Sequence, residues 1–385
     1  MPLPQARLRR GARARVIQGH PWVFRGELED PLPAADAVEL LDAQGGFLGR
    51  GLLSPGTLAL RMLTRDPKEA VDAALFERRF GKALALRRRD LPGEEAFRLC
   101  AGEADFLPGL TVDVYAGHAV LQATTVGMDR RLPEIVEALR AVLDPASVLA
   151  RHDVPSRARE GLPLEKRQLA GETPKEIEVR IGGMAFDVDP WEGQKTGFYL
   201  DQRAQYRLLE GRCKGLRILD AFCHLGAWAR KACLEGAREA VAVDSSGPAL
   251  ERARRKAPDS LHFEEANAFD WLRSASDRGE RFDGIVLDPP PFAKSKDDLQ
   301  GALRAYKELN LRALKMLPEG GWLYTASCSQ RVTPEAFEAC LRAAAVDAGR
   351  SVRILEATGH APDHPVLLEV PETRYLKGLF LEVAS

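Results

Sequence analysis

The order of apolar and helical segments in the C-terminal half is the feature that most constrains the fold. From about residue 191, short apolar stretches alternate with segments of helical periodicity. The strand candidates read "LRILDAF", "EAVAVD", "FDGIVLD" and "GGWLYTAS", and helical stretches cover 227–235, 247–256 and 299–317. Strands that alternate with helices form a parallel sheet with crossover helices. The sequence therefore predicts an α/β, doubly wound, Rossmann-like sheet.

The N-terminal half has a different texture, which predicts two further domains. The stretch "AVELLDAQGGFLGRGLLSPGTLALRML" alternates apolar runs with glycine and proline breaks and is typical of a small, mostly β module. A helix-like stretch follows at 66–91, and 97–187 mixes strand and helix patterns as an α+β piece. We expect a multidomain chain divided at 1–70, 71–187 and 188–385.

Composition is that of a globular protein without an evident metal or membrane segment. The 385 residues carry a formal net charge of -1 and six scattered cysteines without a C-x-x-C pair. This argues against a zinc ribbon or a disulfide framework and favours a reducing compartment. No apolar run reaches membrane-spanning length and no signal-peptide pattern follows the basic N-terminus. We expect a cytoplasmic location, no membrane association and no metal.

Carboxylates at the ends of the first two predicted strands point to an adenosine ligand. In open α/β sheets, ligands bind beyond the carboxyl ends of the strands, and an acid about 20 residues on meets a ribose hydroxyl. Asp220 ends the first strand, Gly226 lies in the following turn, and Asp244 ends the second strand. The glycine-rich pyrophosphate fingerprint of nicotinamide enzymes is absent. S-adenosylmethionine, which contains adenosine but no phosphate, fits this pattern. The alternative is a doubly wound sheet whose carboxylates are incidental.

The next strand ends supply further candidates. Asn267 stands in "EEANAF", where a side-chain amide can read an adenine edge. "LDPPPFAKSK" begins at the end of the strand candidate "FDGIVLD". The three prolines after Asp288 make a stiff loop, because each fixes φ and removes a donor. Such a loop can hold Asp288 toward a base or a methyl donor.

Seven stretches carry a resemblance to a known family. They are "GHPWVFRGEL" (19–28), "RLCAGEADFLPGLTVD" (98–113), "GQKTGFYLDQR" (193–203), "LDPPPF" (287–292), "TASCSQ" (325–330), "DHPV" (363–366) and "YLKG" (375–378). With them the chain resembles, from end to end, the bacterial 23S rRNA cytosine-C5 methyltransferases, which are S-adenosylmethionine enzymes with an N-terminal PUA domain. The resemblance implies a PUA module, a central α+β RNA-contacting domain and a methyltransferase domain.

The resemblance also implies site residues. Segment 193–203 lies against the cofactor in the family, and a guanidinium such as that of Arg203 is well shaped for the methionine carboxylate. The positions implied for cofactor binding are Lys195, Thr196, Tyr199, Asp201, Arg203, Asp220, Phe222, Gly226, Asp244, Ser245, Asn267, Ala268, Asp288 and Pro289.

Cys328 matches the family's catalytic cysteine. Thiolate attack on carbon 6 makes carbon 5 of a pyrimidine nucleophilic, which divides a hard step into two easier ones. Asp288 is the nearest candidate acid for N3. The loop reads Asp-Pro-Pro-Pro, so the second cysteine of two-cysteine RNA cytosine methyltransferases is absent and the base that removes the C5 proton is unassigned. A packed structural cysteine is the alternative role for Cys328.

The first 26 residues hold six arginines and no acid, which makes a basic face for phosphates or, equally, a solubilising tail. The substrate-binding candidates are Arg10, Arg13, Arg15, His20, Phe292 and Lys294. We expect 23S rRNA or a large-subunit precursor as the partner, with a homodimer left open. The alternatives are methylation at uracil C5 or a purine nitrogen, and an RNA-binding assembly factor that holds S-adenosylmethionine without turnover.

Overall fold

The computed structural model describes residues 3–12, 15–293 and 298–385. These residues form two compact units. The first unit comprises Met1–Val179, Val188–Leu200 and Pro362–Thr373, and the second comprises Arg180–Asp187, Asp201–Ala361 and Arg374–Ser385. The predicted domain limits at residues 70 and 187 stay predictions.

A small five-stranded sheet opens the first unit. Its strands are β1 (Gln5–Arg7), β2 (Trp22–Phe24), β3 (Ala37–Leu41), β4 (Phe47–Leu53) and β5 (Leu58–Thr64). They lie in the order β1-β3-β4-β5-β2, and the β1–β3 pair is parallel while the other pairs are antiparallel. Val16, Val23, Leu40 and Leu60 contribute to a separate apolar core. The expected small β module is present.

A second sheet with helices completes the central part of the chain. It contains α1 (Ala73–Asp90), β6 (Ala96–Ala101), β7 (Leu110–Tyr115), β8 (His118–Ala123), α2 (Val126–Arg130), α3 (Leu132–Leu143), β9 (Ser147–Arg151), α4 (Pro155–Ala158) and β10 (Lys166–Gly171). The strand order is β10-β9-β8-β7-β6. Phe76 and Phe80 of α1 share one core with Ala37, Leu52 and Leu63 of the N-terminal module. A hairpin of β11 (Ile177–Ile181) and β12 (Met184–Val188) follows.

The second unit is built on a seven-stranded sheet. Its strands are β13 (Arg217–Ala221), β14 (Glu239–Asp244), β15 (Leu261–Glu265), β16 (Gly284–Leu287), β17 (Trp322–Ser327), β18 (Val352–Thr358) and β19 (Lys377–Val383). Its helices are α5 (Ala227–Leu234), α6 (Gly247–Arg254), α7 (Ala268–Asp277), α8 (Leu299–Met316) and α9 (Pro334–Ala348). Short 3-10 helices occur across the chain at Arg15–Gln18, Arg25–Glu27, Gly102–Asp105, Leu200–Leu209 and Pro371–Thr373.

The strand order of this sheet reverses near its centre. The order is β15-β14-β13-β16-β17-β19-β18, with β13 to β17 parallel and β19 antiparallel to both neighbours. Because the order reverses between β15 and β16, right-handed crossovers put α5 and α6 on one face and α7 and α8 on the other. The switch point between β13 and β16 is where such sheets bind ligands. The predicted doubly wound sheet is confirmed.

Beyond the predicted strands, the chain adds helix α9 and the two further sheet strands β18 and β19. Thr333 caps α9 by accepting from the backbone N–H of Ala336, Pro334 is its first residue, and Gly349 ends it with a φ of 65°. Strand β19 enters antiparallel between β17 and β18. None of the helices that the structure describes is both long and apolar enough to cross a membrane.

Candidate active site

Asp220 lies at the buried end of the central strand β13. One carboxylate oxygen, Oδ2, accepts the backbone N–H of Ala229 at 3.0 Å. The other, Oδ1, has no hydrogen-bond partner among the described residues, and the side chain is 0% exposed. Burial, with the nearby Asp288 and Asp244 carboxylates, raises the pKa of Asp220 to about 8. A buried acceptor without a donor costs free energy, so this carboxyl group is suited to a polar ligand.

The loop after β13 is held in an uncommon backbone conformation. Phe222 has a φ of 67° and His224 a φ of 51°, and Gly226 has a φ of 70°. Non-glycine residues rarely adopt such angles, a bulky residue such as Phe222 least of all, and strained residues cluster at ligand sites. A Cβ on Gly226 would lie 2.8 Å from the ring of Phe263. Gly226 is therefore required by its own packing, in addition to any approach of a ligand.

Asp244 anchors this loop from the end of β14. Its Oδ2 accepts the backbone N–H of His224 at 2.8 Å, and its Oδ1 accepts that of Ser246 at 2.9 Å. A carboxylate has about four acceptor positions, so each oxygen retains capacity for a hydroxyl donor. Ser245, the next residue, is exposed. Asp244 thus combines a loop-holding role with the acceptor capacity that a ribose would use.

Asn267 begins helix α7 as its N-cap. Its Oδ1 accepts the backbone N–H groups of Phe269 at 3.0 Å and Asp270 at 3.4 Å. Ala268 is buried as the first residue of the helix. The capping role accounts for the side-chain oxygen of Asn267, and the amide nitrogen is the group that can face an adenine edge.

Asp288 follows β16 and belongs to a hydrogen-bonded chain. Its Oδ1 accepts the side-chain amide N–H of Gln202 at 2.8 Å. Gln202 in turn accepts the hydroxyl of Tyr324 at 3.0 Å. Tyr324 lies on β17 and is fully buried, which raises the pKa of its hydroxyl, and the Asp288 charge adds to this effect. The orientation of Asp288 is therefore determined by two side chains from other elements.

Cys328 comes directly after β17, opposite the proline loop. Its Sγ lies 3.6 Å from the carbonyl oxygen of Pro289, which is buried. The next residue, Ser329, accepts the backbone N–H of Phe292 at 3.0 Å and lies 3.0 Å from the Tyr306 hydroxyl. The loop that carries Cys328 and the loop that follows Asp288 are thereby joined.

The five cysteines other than Cys328 are poor nucleophiles. Cys328 and Cys233 are half-buried, and the remaining four are buried. Burial raises the pKa of Cys100, Cys213, Cys223, Cys233 and Cys340. Because the thiolate is the reactive form, Cys328 is the strongest candidate nucleophile.

The stretch "YLKG", whose last two residues begin β19, contacts three parts of this site. Tyr375 donates its hydroxyl to Asp201 Oδ2 at 2.8 Å. Lys377 donates to the carbonyl oxygens of Ser329 at 2.7 Å and of Val332 at 2.6 Å. A Cβ on Gly378 would lie 2.6 Å from the Tyr324 hydroxyl. This strand supports the loop after β17 and leaves room for the Tyr324–Gln202–Asp288 chain.

The aromatic candidates for stacking pack against one another. Phe222 and Phe269 have ring centroids 5.9 Å apart, Phe269 and Phe292 5.4 Å, and Phe292 and Tyr306 4.8 Å. Phe222 and Phe292 are both partly buried against the main core of the unit. Each therefore has a packing role, and its exposed part is what a ligand could contact.

Asp201 and Arg203 lie in the 3-10 helix Leu200–Leu209, where both are buried. Besides the Tyr375 bond, the backbone carbonyl of Asp201 accepts the N–H of Ala361 at 2.9 Å. In the second unit the structure thus assembles, around the carboxyl edge of one sheet, the following candidates: Asp201, Arg203, Asp220, Phe222, Gly226, Asp244, Ser245, Asn267, Ala268, Asp288, Pro289, Phe292 and Cys328.

Three cofactor candidates belong to the first unit. Thr196 is fully buried, where its hydroxyl donates to Asp113 and lies 3.0 Å from the Tyr115 hydroxyl. Lys195 is exposed, with Nζ 4.5 Å from the ring centroid of Tyr199. In this unit, Thr196 holds the segment 193–200 onto β7.

Two of the N-terminal substrate candidates, Arg15 and His20, contact a carboxylate within the first unit. Glu372 accepts from Arg15 at 2.7 Å and lies 3.2 Å from Nε2 of His20. His20 is buried, and its Nδ1 accepts the backbone N–H of Trp22 at 3.1 Å. Arg10 is exposed. Arg13 and Lys294 lie outside the described residues.

Two residues of the site were missed in the sequence. Gln202 lies inside the stretch 193–203, between Asp201 and Arg203, and Tyr324 lies in an apolar strand. A buried tyrosine needs a partner for its hydroxyl, which was the available signal for Tyr324. Nothing local indicated the partner of Gln202.

Comparison with known proteins adds to this geometry. A model of the PUA-like domain family matches residues 6–65. The ribosomal RNA large subunit methyltransferase I of Escherichia coli strain K12 is 37% identical over 391 residues, which cover 98% of each chain. A solved Streptococcus mutans structure, described as a candidate S-adenosylmethionine-dependent methyltransferase, has a TM-score of 0.82 at 20% identity over 99% of this chain and 100% of its own. Another methyltransferase, solved in complex with SAH, has a TM-score of 0.82 at 20% identity over 100% of both chains. At that identity, the two structures establish the fold.

Proposed function

The chain belongs to the ribosomal RNA large subunit methyltransferase I family, and from that premise we propose that it makes 5-methylcytidine in 23S rRNA. The protein is an S-adenosylmethionine-dependent rRNA methyltransferase. The choice of carbon 5 and the covalent route through Cys328 are the proposal itself. The observation that carries it is the position of Cys328, a half-buried thiol beside the Asp-Pro-Pro-Pro loop.

The residues at the carboxyl edge of the sheet fit S-adenosylmethionine. Three features suit a ligand with a ribose and a charged amino acid part. They are Asp220 Oδ1, which has no hydrogen-bond partner among the described residues, the left-handed loop that follows it, and the spare acceptor capacity of Asp244. In this proposal Asp244 accepts from the ribose and Asn267 contacts the adenine. Arg203 pairs with the methionine carboxylate. When bound, the cofactor supplies an electrophilic methyl group.

Cys328 makes the target carbon reactive. Its thiolate adds to carbon 6 of the cytosine, which forms an S–C6 bond and moves the C5=C6 electron pair to carbon 5. Carbon 5 then displaces the methyl group from the sulfonium sulfur of the methyl donor, which would keep the electron pair of the broken S–CH3 bond. Loss of the C5 proton to a base restores the C5=C6 bond and breaks the S–C6 bond, so the thiolate is regenerated. The target base must leave its stack to reach such a site.

Asp288 is positioned to hold the base during this addition. Gln202 donates to Oδ1 of Asp288, which orients the carboxyl group. In its protonated form the carboxyl group can donate to N3 of cytosine and stabilise the charge that develops on the ring. The proline loop keeps Asp288 and the Pro289 carbonyl beside Cys328.

Mass spectrometry of 23S rRNA fragments tests the proposal. A strain lacking the protein should lose one 5-methylcytidine, which returns with the intact gene and not with Cys328→Ala. Loss of a purine methyl, loss of a 5-methyluridine, or full restoration by Cys328→Ala would contradict it. An unchanged content of 5-methylcytidine would contradict it as well.

A further inference from the structure

Lys377 lies next to the nucleophile loop in the sheet. Strand β19 pairs with β17 so that Lys377 is opposite Ser327, the residue before Cys328. From there its Nζ donates to the carbonyl oxygens of Ser329 and Val332, at 2.7 and 2.6 Å. Both carbonyls belong to the turn that follows Cys328. The lysine therefore holds that turn from the neighbouring strand.

The same side chain brings a positive charge close to the thiol. An ammonium group has three donors and no acceptor, so two carbonyl bonds leave it a third N–H. Burial lowers the pKa of Lys377 to about 8, and its interaction with a Cys328 thiolate acts in the opposite direction. At neutral pH the group is therefore mainly charged.

We propose that Lys377 is the positioning residue of Cys328, which it holds through the 329–332 turn while its charge favours the thiolate. This inference rests on the proposed role of Cys328 as nucleophile. A cation beside a cysteine shifts the thiol–thiolate equilibrium toward the thiolate, with the proton released to solvent. Lys377 thus favours the reactive thiolate form of Cys328.

Two other titratable groups near Cys328 in the described residues, Tyr306 and Asp288, do not supply a positive charge. Among the described residues, Tyr306 of α8 interacts with Cys328, and Asp288 is across the proline loop. The pKa of Tyr306 is raised to about 12 by burial, so its hydroxyl is neutral. The Asp288 carboxylate, when ionised, disfavours a second negative charge nearby. Of these three groups in the described part of the chain, Lys377 is the one whose positive charge favours the thiolate.

The test is the pH dependence of Cys328 alkylation by iodoacetamide in the full-length protein, measured by mass spectrometry of the Cys328 peptide. Lys377→Gln removes the charge and keeps a donor for the carbonyls, and Lys377→Met is a second uncharged variant. Both variants should raise the midpoint, the pH at which Cys328 alkylation reaches half its maximal rate, by about one pH unit or more. Lys377→Arg should keep the midpoint within a few tenths of a unit, roughly.

Lys256→Met is the matched control, because Lys256 is also partly buried but pairs with Asp187. It should leave the midpoint unchanged. Equal midpoints for the wild type and for whichever uncharged Lys377 variant folds would overturn the inference. So would a raised midpoint in Lys377→Arg as large as that in Lys377→Gln, because packing rather than charge would then be responsible.

This assay separates the inference from the proposed function. If the Lys377 variants shift the midpoint of Cys328 alkylation but the wild type does not methylate carbon 5 of the rRNA cytosine, the role of Lys377 is retained and the methylation chemistry is rejected. Methylation that needs Cys328, together with an unshifted midpoint, would reject the role of Lys377 alone.

Discussion

Gln202 donates its side-chain amide to Asp288 at 2.8 Å and accepts the Tyr324 hydroxyl at 3.0 Å. A buried tyrosine is thus connected to the acid beside the candidate nucleophile through one glutamine. Since both bonds depend on Gln202, its removal takes this partner from the buried Tyr324 hydroxyl and from the half-buried Asp288 carboxylate. Removal of the Tyr324 hydroxyl leaves the bond to Asp288.

This arrangement predicts an order of effects. Gln202→Met should lower kcat for rRNA methylation by about tenfold or more and the free energy of unfolding by about 1–3 kcal/mol. Tyr324→Phe should have the smaller effect on kcat. Steady-state methylation and urea unfolding measure both. A larger loss of activity in Tyr324→Phe than in Gln202→Met would contradict the assigned order.

Gly378 predicts a steric effect on the same chain. A Cβ at this position would lie 2.5 Å from Thr358 Oγ1 and 2.6 Å from the Tyr324 hydroxyl. Gly378→Ala should therefore displace Tyr324 and lower stability by about 1–3 kcal/mol. In the control Gly301→Ala, the nearest atom to the new Cβ is an arginine Nη2 at 4.0 Å, and the helical site should gain about 0.5–1 kcal/mol. Equal unfolding free energies for the two variants would refute the steric account.

Asp220 predicts a pH-dependent difference in stability. Burial raises its pKa from 3.8 to about 8, so the folded protein holds this proton over a pH range in which the unfolded chain has released it. The wild type should therefore lose stability relative to Asp220→Asn as pH rises from about 4 to 8, by up to about 1.4 kcal/mol per pH unit. Above pH 8 the difference should level off.

Urea unfolding of the ligand-free proteins at several pH values measures this difference. Asp270→Asn, which changes an exposed carboxylate, is the control for the loss of an aspartate outside the core. A difference between Asp220→Asn and the wild type that does not change with pH would contradict the prediction.

Thr196 predicts a structural rather than a binding effect. Its hydroxyl contacts Asp113 and Tyr115, which are both 0% exposed. Thr196→Val keeps the shape and removes these bonds, so it should lower the free energy of unfolding by about 1–3 kcal/mol. Unfolding with S-adenosylmethionine titration separates the roles. Unchanged stability with weaker cofactor binding would show that Thr196 acts mainly on the ligand.

Several parts of the fold and site follow from the sequence alone. The helix predicted at 227–235 is observed at Ala227–Leu234, and the one at 299–317 at Leu299–Met316. These elements are predictable because their periodicity and caps are local. Asp220, Asp288 and Cys328 are predictable as a group because adjacent parallel strands end at the same edge of the sheet.

What could not be predicted depends on long-range pairing. Tyr375 and Asp201 are 174 positions apart in sequence, and Lys377 reaches Ser329 across 48 positions. Strand β19, which begins at Lys377 just after Tyr375, is inserted antiparallel between β17 and β18, and no local pattern indicates this insertion. The basic N-terminus was likewise ambiguous, because the partners that neutralise Arg15 and Arg9, Glu372 and Asp30, lie elsewhere in the chain.

The covalent step through Cys328 is the central claim, and trapping it is the most direct measurement. A 23S rRNA fragment with 5-fluorocytidine in place of cytidine blocks loss of the C5 substituent and should leave the wild-type protein bound to RNA in denaturing gels. Cys328→Ala should form no adduct, while Cys233→Ala, which alters the other half-buried thiol, should still form it. An adduct with Cys328→Ala, or none with a wild-type protein that methylates the unmodified fragment, would contradict the account.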